Sequence, residues 1–256
     1  MSFVVFKTDC NMKFSALTVA VVATVAATTV SAQTYTVKVG GAYIVPNASS
    51  SDFTGQLPVS GAPTLAGVNL EVQSKATLMF SVERAINDNF GVELVLGLPP
   101  KHDVKLKVSN AVRAQAGSDP RAALFTAYAD KTIAQVKQMA PTLFFNYKFR
   151  SASDALRPYL GLGINYTKLD STLNATGRDL YAHAGASSVK LHLDSSIAPA
   201  LQAGVTYKVD KTWSVNVGVV STFVNSTLDV TAGGYTHTAK FDFTPAVYTA
   251  SVGYSF

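Results

Sequence analysis

A single cysteine, Cys10, is all that 256 residues contain, so no disulfide framework holds this chain together. Charge is scarce as well: Asp, Glu, Lys and Arg make up 14% of the chain, well below the roughly 25% of a typical soluble domain. With 48% hydrophobic residues, so little charge excludes a disordered chain. After the N-terminal stretch no apolar run reaches the ~20 residues of a membrane helix, which excludes a helical membrane protein. The four histidines, His102, His183, His192 and His237, have no paired ligand spacing, so no metal is expected. Gly161 and Gly163 resemble part of a nucleotide fingerprint but precede no helix that could hold an anion, and no cofactor is expected. The formal net charge of +5 is small and dispersed, which argues against nucleic acid. What survives is a β-rich chain with excess apolar surface.

The first apolar stretch reads as an export signal. Lys13 precedes the run from Phe14 to Val30, which ends in Val30-Ser31-Ala32 before Gln33. A basic start, an apolar middle and a small-x-small ending make a secretory signal peptide over residues 1–32, cleaved after Ala32, with Met12 as its working start. A membrane anchor fits less well, because threonines interrupt the run and no basic flank follows it. Cys10 lies ahead of the run rather than at its end, so it leaves with the leader. Residues 33–256 are then one domain.

Within that domain, period-2 alternation recurs eight times between turn-rich segments. Tyr248, Ala250, Val252, Tyr254 and Phe256 share one face, with Thr249, Ser251, Gly253 and Ser255 on the other. The same pattern sets Leu160, Leu162, Ile164 and Tyr166 against Tyr159, Gly161, Gly163 and Asn165. It recurs around Leu201–Lys208 and Trp213–Phe223, and over Thr34–Val45, Val72–Ile86, Phe90–Leu98 and Val136–Phe149. Connections alternate in length: 87–89, 150–156 and 210–212 are short, whereas the segments near 46–71, 99–135, 170–195 and 230–240 are long and read as polar loops. Even strand number, one apolar face and alternating loop lengths predict an all-β, eight-stranded antiparallel transmembrane barrel in a bacterial outer membrane. A soluble barrel would carry its polar residues outside, whereas here the polar face is the one with glycines. Outward parity also gathers Tyr35, Phe90, Tyr147, Phe149, Tyr207, Trp213, Tyr254 and Phe256 near the short-turn end, as a belt at headgroup level would. The alternation ending on Phe256 looks like an assembly signal for the barrel-assembly machinery, and outer-membrane lipid and lipopolysaccharide are the expected surroundings. Nothing demands more than a monomer.

Inward parity divides the lumen in two. Lys38, Glu83, Glu93, Lys148, Arg157 and Lys208 fall near the short-turn end, and in a bore just wide enough for side chains they should pair into a charged plug. Toward the loop end the inward residues are Ile44, Val95, Phe144, Val220, Val224, Phe241 and Phe243. They suit either a small hydrophobic solute or simple packing of the bore. Pro99 and Pro100 close the third strand and mark either a break in the wall or merely the strand's end.

These segments resemble the outer membrane protein W (OmpW) family, which includes AlkL. The resemblance rests on Asn89-Phe90-Gly91-Val92-Glu93-Leu94 with Pro99 and His102, on Pro141-Thr142-Leu143, and on the run Arg157-Pro158-Tyr159-Leu160-Gly161-Leu162-Gly163-Ile164-Asn165-Tyr166-Thr167. It continues through Gln202-Ala203-Gly204-Val205-Thr206-Tyr207, Trp213 with Asn216, and Gly253-Tyr254-Ser255-Phe256. The likeness implies an eight-stranded barrel whose hydrophobic channel passes small hydrophobic molecules and releases them sideways into the membrane, with Pro99 at the wall opening. Residues 111–131 and 174–188 match none of its motifs.

Three functions compete. Passive transport of an apolar solute needs a channel and no catalytic group. An outer-membrane enzyme needs nucleophile, base and acid together, for which His183, His192, Asp194 and Ser195 are candidates without any surrounding motif. A structural or interaction barrel would bind host surfaces or phage through its loops and would have a filled lumen and an unbroken wall. Transport is the expected function and catalysis is not.

Overall fold

The computed structural model describes residues 35–57 and 61–256; the signal peptide expected over residues 1–32, with Cys10, lies outside the described residues. In chain order the strands begin with β1 (Tyr35–Val45), β2 (Thr54–Gly55), β3 (Val68–Val72), β4 (Lys75–Ala85), β5 (Phe90–Gly97) and β6 (Lys101–Val108). Two short helices follow, α1 (Asn110–Ala114) and α2 (Pro120–Ala127), then β7 (Thr132–Met139), β8 (Thr142–Lys148) and the long β9 (Leu156–Leu173). After helix α3 (Ala175–His183) come β10 (Val189–Leu193), β11 (Ser196–Lys208), β12 (Trp213–Thr222), β13 (Val224–Ala232), β14 (Tyr235–Phe243) and β15 (Ala246–Ser255).

Eight of these strands form a closed antiparallel barrel in the order β1, β4, β5, β8, β9, β11, β12, β15, with β15 pairing back onto β1 from Thr36↔Ser255 to Val45↔Ala246. Closure leaves no free edge, as a wall in lipid requires. The parity expected from sequence holds on every wall strand. Leu162 and Ile164 are 67% and 64% exposed, while their neighbours Gly161 and Asn165 are buried. On β11 the outward run from Tyr207 to Ile197 covers about ten residues at ~3.3 Å each, and a tilt of roughly 40° reduces this to the ~25 Å of an apolar membrane band. Among the described residues no helix is long and apolar enough to cross a membrane; strands make the crossing. At the short-turn end the outward rings gather as expected: Tyr254 lies 5.0 Å from Trp213 and 6.1 Å from Phe256, and Tyr147 lies 5.0 Å from Phe90 and 4.9 Å from Phe149.

The other end departs from expectation. The four long segments are not polar loops, because the ladders continue through them. One outer sheet joins β3, β6, β7 and the upper half of β9, and a second joins β10, β13, β14 and β2. Residues 230–240, read as a loop, are largely strand. Gly233 and Gly234 turn the chain from β13 to β14 with φ of 59° and 84°, the positive values that a two-residue hairpin turn needs at both central positions. The helices are capped locally. Ser109, Asp119 and Asn174 each accept a backbone N–H from the following turn, and Pro120 opens α2. Between the two outer sheets lies an apolar core that includes Val68, Leu70, Leu106, Ile133, Val230 and Phe241. The sheets stay ordered beyond the membrane band because this core buries their inner faces.

Candidate functional site

At the short-turn end, β1, β4, β5 and β8 each direct a charged side chain inward. Lys38 Nζ lies 3.0 Å from Glu83 and 2.8 Å from Glu93, and Lys148 Nζ lies 2.7 Å from Glu83. Glu83 and Glu93 face each other directly across the β4–β5 ladder, where two like charges repel unless a cation stands between them. Lys38, opposite Ser81 on β1, is that cation. Glu93 also accepts from Ser81 (2.6 Å), Asn146 (2.9 Å) and Gln202 (3.2 Å), so neutral donors from β4, β8 and β11 complete its shell. These groups reach across the bore and form a floor. Burial of so many charges is tolerable because each is paired: Glu93 has hydrogen bonds as well, whereas Glu83 relies on its two lysines.

The remaining two expected plug charges behave differently. Arg157 makes no ion pair among the described residues and instead donates to the carbonyls of Asp88 (2.6 Å), Arg150 (3.2 Å) and Phe149 (3.3 Å). Lys208 donates to the carbonyl of Ala152. Both sit where β9 begins and β11 ends, so their heads reach the turn at 150–155 rather than the carboxylates on β4 and β5. They tie the turns, and four charges rather than six make the plug. Sequence reading missed Ser81, Asn146 and Gln202, although their inward parity was already visible.

Above the floor the bore becomes apolar. A cavity of about 110 Å³ is lined by Ile44, Val95, Phe144 and Val220, with Pro100 and Gln138 on one side. The next, about 30 Å³, shares Ile44 and Gln138 with it and adds Val224 and Phe243. A third, about 40 Å³, shares Leu169 and Phe243 with the second and adds Phe241 and Val230. All seven residues expected to line a channel therefore face one stacked series of cavities. Shared lining residues make the three cavities neighbours, with Phe243 between the second and the third.

The wall beside the largest cavity is interrupted. The β5–β8 ladder ends at Val95↔Thr142, and pairing resumes between β6 and β7 only at Lys101↔Lys137. Residues 96–100 on one side are one longer than 138–141 on the other, so the two registers cannot join. Pro99, Pro100 and Pro141 lack the N–H a ladder would use. Outside the two ladders, a bond from Gln138 N–H to the Pro100 carbonyl (3.0 Å) is the one backbone bond that crosses this gap among the described residues. Pro100 lines the cavity; Pro99 is half-buried beside it.

The candidate catalytic set does not assemble. His183 on α3 bonds the Tyr128 hydroxyl (3.0 Å) and the Asp179 carbonyl (2.9 Å), whereas His192 on β10 pairs with Asp194 at 3.3 Å. No hydrogen bond joins the two pairs or brings Ser195 to either among the described residues. The outer sheets bury two other histidines, His102 on β6 and His237 on β14. The Nε2 of His237 meets the Tyr181 hydroxyl at 2.8 Å. Burial holds the His237 pKa down at about 4, below the ordinary histidine range.

Comparison with known proteins agrees with this architecture. The model of the OmpW family matches residues 31–256. Outer membrane protein W of Vibrio cholerae serotype O1 is 28% identical over 223 residues, covering 87% of this chain and 88% of that protein. Among solved structures, the crystal structure of the outer membrane protein OprG from Pseudomonas aeruginosa has 27% sequence identity and a TM-score of 0.70, and the match covers 88% of this chain and 96% of that one. A relative from Pseudomonas aeruginosa, 23% identical over 190 residues (74% of this chain and 76% of that protein), is named dibenzothiophene metabolism operon protein PahQ.

Proposed function

Since the chain belongs to the OmpW family and is an outer-membrane β-barrel, we propose that it passes small hydrophobic molecules inward through its apolar upper lumen and releases them sideways into the membrane. The observation that carries this reading is a stack of apolar cavities above a buried ionic cluster, with a break in the wall at the level of the largest of them. A solute descending the bore meets Lys38, Glu83 and Glu93, whose desolvated charges offer a hydrocarbon nothing. The gap between residues 96–100 and 138–141 leads instead to lipid, where apolar surface is as well accommodated as in the cavity. Passage is passive, without a catalytic group, and each step needs only side-chain motion at the constrictions. The dibenzothiophene named for one relative is an apolar aromatic of the class such a bore would take. Lipid and lipopolysaccharide surround the barrel, Phe256 serves its insertion by the assembly machinery, and the monomer is the working unit.

The test replaces Pro99 and Pro100 with valine, restoring two ladder N–H groups at the break. Uptake of a labelled alkane by cells carrying Pro99→Val/Pro100→Val should slow, while the barrel still migrates as a folded species. Unchanged uptake by that variant refutes lateral release. No uptake by the unaltered protein would favour a barrel that works through its external surface.

A further inference from the structure

Two seams separate the outer sheets, and they are built differently. Along the first, between β3 and β14, the chain that follows β1 stitches both sides. Ser50 and Phe53 donate to the Leu70 and Val68 carbonyls (2.9 and 3.1 Å), while Ser51 donates to the Lys240 carbonyl at 2.8 Å. The β2–β14 pairing adds to the closure. Along the second, between residues 168–173 of β9 and Val189–Leu193 of β10, no backbone hydrogen bond crosses among the described residues.

The open seam has a local cause. The β9–β11 ladder stops at Ser196↔Thr167. In β11 the inward residues are even-numbered, as with the buried Ala198 and Ala200. The β11–β12 register pairs Ala200 with Thr222, and its continuation would set Leu193 against Asp229; the observed partner is Leu228. One extra residue at Asp194–Ser195 therefore bulges the strand, turns the odd-numbered Leu191 and Leu193 inward, and carries β10 along with β13 and away from β9. The edges left behind are apolar inside and charged outside. Leu169, Leu173, Leu191 and Leu193 line the uppermost cavity of the stack, and the buried Ser171 Oγ in the same lining has no hydrogen-bond partner. Outside, Lys168 pairs with Asp170 (3.9 Å) and His192 with Asp194 (3.3 Å), each along its own strand rather than across the seam. Ile197 and Tyr166, the last large apolar residues exposed on β11 and β9, place the seam just beyond the membrane band.

We propose that the β9–β10 seam is the entrance by which an uncharged hydrocarbon, aliphatic or aromatic, reaches the stacked cavities. The proposal rests on the transport reading above and supplies its missing upper end: entry between two leucine-lined strand edges, descent through the bore, exit at the break near Pro100. Entry needs only a parting of edges that no backbone bond holds together, whereas parting the other seam would break several.

The experiment uses the full chain with Cys10→Ser, so that an introduced cysteine is the only thiol. Leu191→Cys probes the open seam, and Ser51→Cys, exposed on the stitched seam, is the control. Each is treated with a bulky methanethiosulfonate reagent in outer-membrane vesicles, and labelled octane uptake is followed. Modification at Leu191→Cys should slow uptake tenfold or more, and removal of the adduct with dithiothreitol should restore it, which a folding defect would not allow. Modification at Ser51→Cys should leave uptake unchanged. Unaltered uptake with Leu191→Cys fully modified overturns the entrance, as does a thiol there that the reagent cannot reach. Octane uptake by the Cys10→Ser chain no faster than by vesicles without the protein overturns the transport reading itself, and the entrance with it.

Discussion

Removing the Lys38 ammonium is the sharpest perturbation of the ionic floor. Lys38→Met keeps most of the stem and deletes contacts of 3.0 and 2.8 Å to two buried carboxylates. Breaking a buried pair by removing one partner costs about 3–5 kcal/mol, because the other charge stays desolvated. Here the loss should fall near the lower end, ~3 kcal/mol by the same reasoning, since Glu83 keeps Lys148 at 2.7 Å and Glu93 keeps three neutral donors. Neutralising the stranded charge should recover most of that loss, so Lys38→Met/Glu93→Gln is expected to be the more stable of the two variants. Urea unfolding in lipid vesicles, read by the electrophoretic mobility difference between folded and unfolded barrel, measures both. A single variant within 1 kcal/mol of the parent, or a double variant less stable than the single, would refute the view that Lys38 holds two opposed carboxylates.

Three further outcomes follow from the same geometry. A Cβ on Gly161 would run into Asn146 Oδ1 and lie 2.7 Å from Gln202 Cγ, so Gly161→Val should cost about 1–3 kcal/mol in the same unfolding assay, through overpacking against two of the floor's donors. His237, with its pKa at about 4 against an ordinary 6.5, binds its proton more readily when the outer sheets open. Its contribution is intact above pH 6.5 and declines as pH falls toward 4, by ~3 kcal/mol in all. Limited proteolysis of the β13–β14 hairpin in urea should show that slope, and His237→Gln should flatten it. In planar bilayers the closed floor predicts no steady, large ion conductance, and a stable water-filled pore would contradict it.

The barrel was legible because lipid on one side and a tight bore on the other force a strict alternation that sequence displays directly. Leu160, Leu162 and Ile164 could face only lipid, and Lys38, Glu83 and Glu93 only the bore. The outer sheets were harder to read because both factors change beyond the membrane. There the outward face is polar and the core lies between two sheets, so composition mimics a loop. Local signals were nonetheless present: Gly233-Gly234 between two alternating runs, Asp119-Pro120 at a helix start, and Asn174 as a cap. The pairing choices of Arg157 and Lys208 were hidden for another reason. Parity says which way a side chain points, not whether a turn carbonyl or a carboxylate is nearer. The one-residue bulge at Asp194–Ser195 is likewise a property of register, and register between strands is set by partners far apart in the chain.

Whether an apolar solute occupies the stacked cavities can be measured directly with a diazirine-bearing alkane, photolysed in outer-membrane vesicles and located by mass spectrometry. Label is expected on Ile44, Phe144, Val220 and Phe243 and at the break near Pro100, displaced by excess unlabelled alkane, with none below the Lys38–Glu93 floor. Label confined to lipid-facing residues such as Leu160 and Ile164, undiminished by competitor, would contradict it.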